Sequence, residues 1–355
     1  MARILLIDDD EGHLEALREA VQTAAGDDGF EVAVWRPVSG TDTNISQEFE
    51  KQVGDDTALV VTDYDLTLAV AGFFGTSVVA WCQRLALPVA DYSRGNQDLL
   101  PAVPDLFEFR LPKSVDEAAG KIVAVAEGFD ALRKRLEASP ELLGAPSPAA
   151  MLARMLDRPS EASSLSLYEL QLGAHKGLLE GWMANAQATS RVTLATYMLG
   201  HLLFNLVLRY PGPILDLRSV AAYFAIDLAE GHQLTELLKD AAYAGPFHTM
   251  DAYFWRDGID DLVADWAEDS DVEPGEDLAI YRRDLAQEKL KVSLPTHDCE
   301  RCQGSRGGYI CPFTDRVVCE REDCSVGTTS WLPHGAEIAR VEKDYYDETA
   351  PMLGF

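Results

Sequence analysis

The sequence predicts a doubly wound α/β domain on a parallel five-stranded sheet, followed by an all-α domain and a small cysteine-rich module. Three observations predict it. Short β-rich apolar runs alternate with helical patterns over residues 1–137, helical periodicity fills residues 166–295, and five of the six cysteines fall within residues 299–324. At 355 residues the chain has room for two or three domains.

The first strand is predicted over residues 2–7 (ARILLI), and Glu11–Ala25 follows with apolar positions at helical spacing. Further strands are expected at residues 32–35, 58–62 (ALVVT), 87–92 (LPVADY) and 106–111, with helices at Gly75–Leu85 and Val115–Ala138. Such βα alternation calls for a parallel sheet covered by helices on both faces. Residues 138–165 turn to Pro, Ser, Ala and Gly and read as a linker with one short helix at 151–156. Helical patterns then recur at 166–188, 192–210, 218–224, 232–243, 252–267 and 278–290, the second stopped by Arg209-Tyr210-Pro211-Gly212. The run TLATYMLGHLLFNLVLRYPG is apolar nearly all round and reads as a central buried helix. Its His201, and His175 before it, read as core or boundary histidines without a phosphotransfer motif. Residues 296–355 form the cysteine-rich module and a tail.

Acidic residues outnumber basic ones by 59 to 30, a net charge of −29, so the surface repels polyanions and bulk nucleic-acid binding is not expected. No apolar run reaches eighteen residues, and MARILLIDDD turns acidic too early for a secretory signal. The expectation is a soluble, cytoplasmic protein without membrane contact.

In an open parallel sheet, ligands gather at the carboxyl ends of the strands. Asp8, Asp9 and Asp10 directly follow the first strand, Asp63 directly follows residues 58–62, and Asp65 lies two positions on. Clustered carboxylates suit Mg²⁺, a hard cation that takes oxygen ligands and leaves room for phosphate oxygens. Ser93 ends the fourth strand and Lys113 follows the fifth, adding a hydroxyl and an ammonium to the same edge. Together these groups describe a phosphoryl-transfer pocket.

This ordered set resembles the receiver domain of two-component response regulators, over roughly the first third of the chain. The resemblance implies a flavodoxin-like fold, with Asp63 in VVTDYDL as phosphoacceptor, Asp8 and Asp9 as the acidic pair, Ser93 as switch residue and Lys113 as the conserved cation. Asp9 directly, Asp8 through water, an Asp63 oxygen and the Asp65 backbone carbonyl would then hold Mg²⁺. A partner histidine kinase or phosphotransfer protein would supply the phosphoryl group, making the protein a phosphorelay member and no enzyme beyond its own phosphorylation. The sequence departs from the pattern in three places: Pro112 precedes Lys113, leaving Arg110 as an alternative cation; Thr67 stands where a proline is usual; and either Phe107 or Phe109 could be the aromatic switch residue. Receivers often dimerise through the face after the fourth strand, so a homodimer is one implied state.

Cys299-x2-Cys302 and Cys319-x4-Cys324 flank a Gly-rich, hairpin-like stretch, a spacing that can set four thiolates tetrahedrally around Zn²⁺. Cys299, Cys302, Cys319 and Cys324 are the chosen ligands, with Cys311 able to replace one of the second pair and His297 and His334 as alternates. Four thiolates close the shell, so the zinc is expected to be structural. Residues 297–324 hold four arginines against six acidic residues and no lysine, too few for a DNA-binding stripe. The leading expectation is therefore a response regulator whose helical, zinc-stapled output region binds a protein partner. The alternatives are a DNA-binding transcriptional regulator, a degenerate receiver acting as a constitutive docking module, or an enzyme with an unrecognised site in the middle domain.

Overall fold

The computed structural model describes residues 1–26, 29–38, 44–92, 108–172, 188–275, 277–303, 308–327 and 338–349. The chain divides into two compact units, Met1–Ala145 with Gly177–His201, and Pro146–Lys176 with Leu202–Phe355.

In the first unit five parallel strands, β1 (Arg3–Ile7), β2 (Glu31–Trp35), β3 (Thr57–Asp63), β4 (Val89–Tyr92) and β5 (Phe109–Arg110), line up in the order β2-β1-β3-β4-β5. Register is regular across the centre: Leu5 pairs with Ala33 on one side and Val60 on the other, and Val60 pairs with Val89. Helix α1 (Glu11–Ala25) starts where the Asp10 carboxylate accepts the His13 N–H, and buries Leu14, Leu17 and Val21 at helical spacing. Helices α2 (Ile45–Gln52) and α3 (Gly75–Leu85) cover one sheet face, with Phe49, Val78 and Cys82 packed on Leu5, Ile7, Val60 and Val89. Cys82 is thus a core residue. Helix α4 (Val115–Ala138) packs against α1 and β3. Apolar strands buried on both faces are what a parallel sheet requires, and β3 has six of its seven residues buried.

Two differences from the sequence expectation shape this unit. The α2 helix was not anticipated, because ISQEFEKQ buries only Phe49 and so carries no apolar stripe; the Asn44 side chain caps it by accepting the Ser46 N–H. The expected 192–210 helix forms as α7 (Ala188–His201), but it belongs to the first unit and packs along α4, which explains why α4 buries residues on more than one stripe. Gly200 permits that approach: a Cβ there would lie 2.1 Å from Cε1 of Phe129. His201 is fully buried, stacked 4.8 Å from the Phe109 ring and edge-on to that of Tyr197 at 4.7 Å. It is the core histidine the apolar helix suggested, whereas His175 lies outside the described residues.

The expected linker, 138–165, is folded, its residues up to Ala145 in the first unit and the rest in the second. After a 3₁₀ turn at Pro140–Gly144, α5 (Pro148–Met155) begins with Ser147 Oγ accepting the Ala150 N–H and Pro148 at the first helical position. Met151, Leu152 and Ala153 are fully buried, so the Ser and Pro residues act as caps and starts rather than as flexible spacers. Helix α6 (Ala162–Leu172) follows. The expected 192–210 helix changes to a π-helical stretch at Leu202–Val207.

The middle region is helical but not all-α, since β6 (Ile214–Asp216) and β7 (Tyr253–Trp255) pair antiparallel, with α8 (Leu217–Tyr223) and α9 (Arg256–Glu268) springing directly from them. Residues 232–243 form 3₁₀ turns rather than the expected helix. Tyr243, Phe247, Tyr253, Phe254 and Trp255 are buried as core. Helix α10 (Leu278–Leu290) joins the same core through Leu285 and Ala286, and so does Ile338 from beyond the cysteines. Ile338 thus ties the residues beyond the cysteines to the helical core, while Cys299, Cys302, Cys319 and Cys324 pack as a small cluster of their own. No helix among the described residues is long and apolar enough to cross a membrane.

Candidate functional site: an acidic pocket and a cysteine cluster

The carboxyl ends of β1 and β3 are adjacent because these strands pair, so residues following them converge. Asp8 and Asp9 are 4% and 3% exposed, Asp63 is half-buried, and one carboxylate oxygen of each lies within 4.8 Å of the others. Backbone geometry fixes the group. Asp8 Oδ1 accepts the Asp10 N–H at 2.8 Å, Asp9 Oδ2 accepts the Ala69 N–H at 3.0 Å, and the Arg36 Nε–H donates to the Asp9 carbonyl at 3.1 Å. Gly75, at the start of α3, lies so close that a Cβ would sit 2.2 Å from the Asp63 carbonyl oxygen. The Asp65 carboxylate accepts the Thr67 N–H and hydroxyl, at 3.1 and 2.6 Å.

Packing three carboxylates together disfavours their ionised forms. Burial, reinforced by the neighbouring Asp8 charge, pushes Asp63 up to about 7. Burial also raises Asp8, outweighing the Asp10 N–H that favours its charged form. An octahedral cation with oxygen ligands suits such a donor set.

The other members of the expected set fare differently. Lys113 is exposed beyond β5, with no hydrogen bond or ion pair among the described residues. Ser93 and Phe107 lie outside the described residues. Arg110 is not an alternative cation for the pocket: it pairs with Asp91, whereas Asp63 pairs with Tyr92, so alternation puts Arg110 on the opposite sheet face. Phe109 is interior, edge-on to Phe129 at 5.6 Å. Sequence reasoning missed Asp91, which is 2% exposed in β4 with Oδ1 lacking a hydrogen-bond partner. Burial first, then a hydrogen bond with Glu108, pushes its pKa up to about 9 and favours its neutral form.

In the second unit, β8 (Tyr309–Ile310) and β9 (Val317–Val318) form a hairpin, and β10 (Ser325–Gly327) pairs with β11 (Arg340–Glu342), which leads into α11 (Lys343–Thr349). The sulfurs of Cys299, Cys302, Cys319 and Cys324 lie within 4.8 Å of one another. Cys299 and Cys302 sit on a turn in which Cys299 O accepts the Gln303 N–H, and Cys319 and Cys324 on one in which Arg321 O accepts the Cys324 N–H. Tetrahedral Zn–S bonds of about 2.3 Å imply S···S edges of about 3.8 Å; Cys302 and Cys319 are 3.8 Å apart. The donor set fits zinc. Cys311 is instead buried in the hairpin turn, donating to Arg316 O and accepting from Asp315 N–H. His297 is turned away, its Nδ1 2.9 Å from Ile226 O and its Nε2 3.2 Å from Tyr309 O, so it joins the helical region to the hairpin. His334 lies outside the described residues.

Compared with protein-family models, curated proteins and solved structures, the chain matches none.

Proposed function

We propose that the first unit is a receiver-like phosphoacceptor module and the protein a response regulator. The convergence of Asp8, Asp9 and Asp63 at the carboxyl edge of a 2-1-3-4-5 parallel sheet carries this reading. Asp8, Asp9 and Asp63 would hold Mg²⁺, which neutralises charge on a transferring phosphoryl group. An Asp63 carboxylate oxygen attacks phosphorus, the bond from phosphorus to a partner's imidazole nitrogen or to a small donor's oxygen breaks, and that atom keeps the electron pair. Asp63 must be ionised to attack. Burial and the Asp8 charge push its pKa up to about 7, and a cation held beside it would favour the ionised form. Lys113 is the group proposed to meet a phosphate oxygen.

Zn²⁺ held by Cys299, Cys302, Cys319 and Cys324 staples the second unit, which we propose engages a protein partner rather than nucleic acid; the net charge of −29 supports this choice. Beryllofluoride, a mimic of an acyl phosphate, tests the acceptor. With Mg²⁺ it is expected to give a bound ¹⁹F resonance in the wild type and none in Asp63→Asn; a bound signal retained in the variant would remove Asp63 from the role.

A further inference from the structure

The loop between β3 and α3, residues 64–74, is held in an uneven way. Leu66 is fully buried at one end and Phe73 is buried at the other, both in the core beneath α3. Between them the loop lifts Leu68 to 80% exposure. Its long-range hydrogen bond, spanning sixty residues of sequence, is from the Ala69 N–H to Asp9 Oδ2 at 3.0 Å. Local bonds complete the turn: Val70 N–H to Leu66 O, Phe73 N–H to Val70 O, and the Asp65–Thr67 pair.

Asp9 is only 3% exposed, so water solvates its carboxylate poorly and a backbone amide takes water's place. A hydrogen bond to an ionised acceptor is roughly twice as strong as one between neutral groups. With Oδ2 held by the Ala69 amide and the main chain held by Arg36, Asp9 keeps a carboxylate oxygen within 4.8 Å of those of Asp8 and Asp63. Outer partners of this kind fix ligand orientation, and their loss typically costs about 10- to 100-fold in metal affinity.

We infer that the Ala69 main-chain amide positions Asp9 for the cation, and that the order of loop 66–74 is thermodynamically coupled to occupancy of the acidic pocket. The inference rests on the reading that this pocket takes a divalent cation. Coupling is reciprocal: whatever the loop adds to cation affinity, the cation returns to the loop as order. The exposed Leu68 then sits on the element that reports whether the pocket is filled.

Two measurements with Mg²⁺ as probe test this. In the wild type, Mg²⁺ is expected to slow hydrogen exchange in the peptide covering residues 66–74. In calorimetric titration, Ala69→Pro, which lacks the N–H, is expected to bind Mg²⁺ about 10-fold or more weakly, while Ala69→Gly, which keeps it, stays close to wild type. Mg²⁺ binding of normal strength to Ala69→Pro, or binding to wild type that leaves loop exchange unchanged, overturns the coupling alone. Failure of the wild type to bind Mg²⁺ at all overturns the coupling together with the cation reading beneath it.

Discussion

Asp63 contributes to the pH response of the metal-free protein, beside Asp8, Asp91 and Asp216, whose pKa values are also raised. Its pKa rises from 3.8 in the ordinary state to about 7 when folded, so the folded protein binds this proton more tightly than the unfolded chain. The stability it contributes is fully present below about pH 4 and is lost as pH climbs through 7, and Asp8 adds a change of the same sign. Thermal denaturation without metal should therefore show a melting temperature that falls between pH 5 and 8. Asp63→Asn should flatten that slope and melt higher than wild type at pH 8, and Mg²⁺ should restore the wild type; a wild-type slope unchanged in the variant would contradict the assignment. Among the cysteines, Cys311→Ser should retain about one zinc per chain by elemental analysis, whereas Cys319→Ser should lose it. The four clustered thiols were legible from their CxxC and Cx4C spacing. Asp91 was not, because one aspartate in VADY looks like any strand-end carboxylate until register places it inside the sheet.

Helix α7 rests on α4 through Gly200, so the contact can be tested with one methyl group. Alanine at an interior helix position normally gains up to about 1 kcal/mol over glycine. Here its Cβ would meet the Phe129 ring at 2.1 Å, and that ring is wedged against Phe109 and His201. Overpacking of this kind costs about 1–3 kcal/mol, so Gly200→Ala should lower the urea midpoint of the first unit. An unchanged or higher midpoint would show that the two helices do not pack this tightly. Elements with strong periodicity, α1, α3 and α4, have the boundaries that the sequence predicted. Strand limits shifted by one to three residues, as pairing and not composition ends a strand. Helix α2 escaped because it has one buried side chain, and the 138–165 segment misled because Ser147 and Pro148 begin a helix with the same residues that make a linker. The β6–β7 ribbon was hidden inside aromatic and helical patterning, where antiparallel partners nearly forty residues apart leave no local signal.

The helices and the cysteine module of the second unit are linked by Ile338, which packs in the helical core, and by His297, which bridges Ile226 O and Tyr309 O. Zinc removal should therefore loosen more than the knuckles. Under chelation, hydrogen exchange is expected to rise across α8, α9 and α10 as well as residues 299–324, while amides of β1 and β3 keep their protection; a change confined to 299–324 would mean that the module is energetically separate. For the molecule as a whole the central claim is that Asp63, in a cation-filled pocket, accepts a phosphoryl group. Intact mass after incubation with Mg²⁺ and acetyl phosphate tests it most directly, with Asp63→Asn and a chelated wild-type sample beside it. The account predicts a gain of one phosphoryl group in the wild type alone. Phosphorylation that persists in Asp63→Asn or without divalent cation would contradict it.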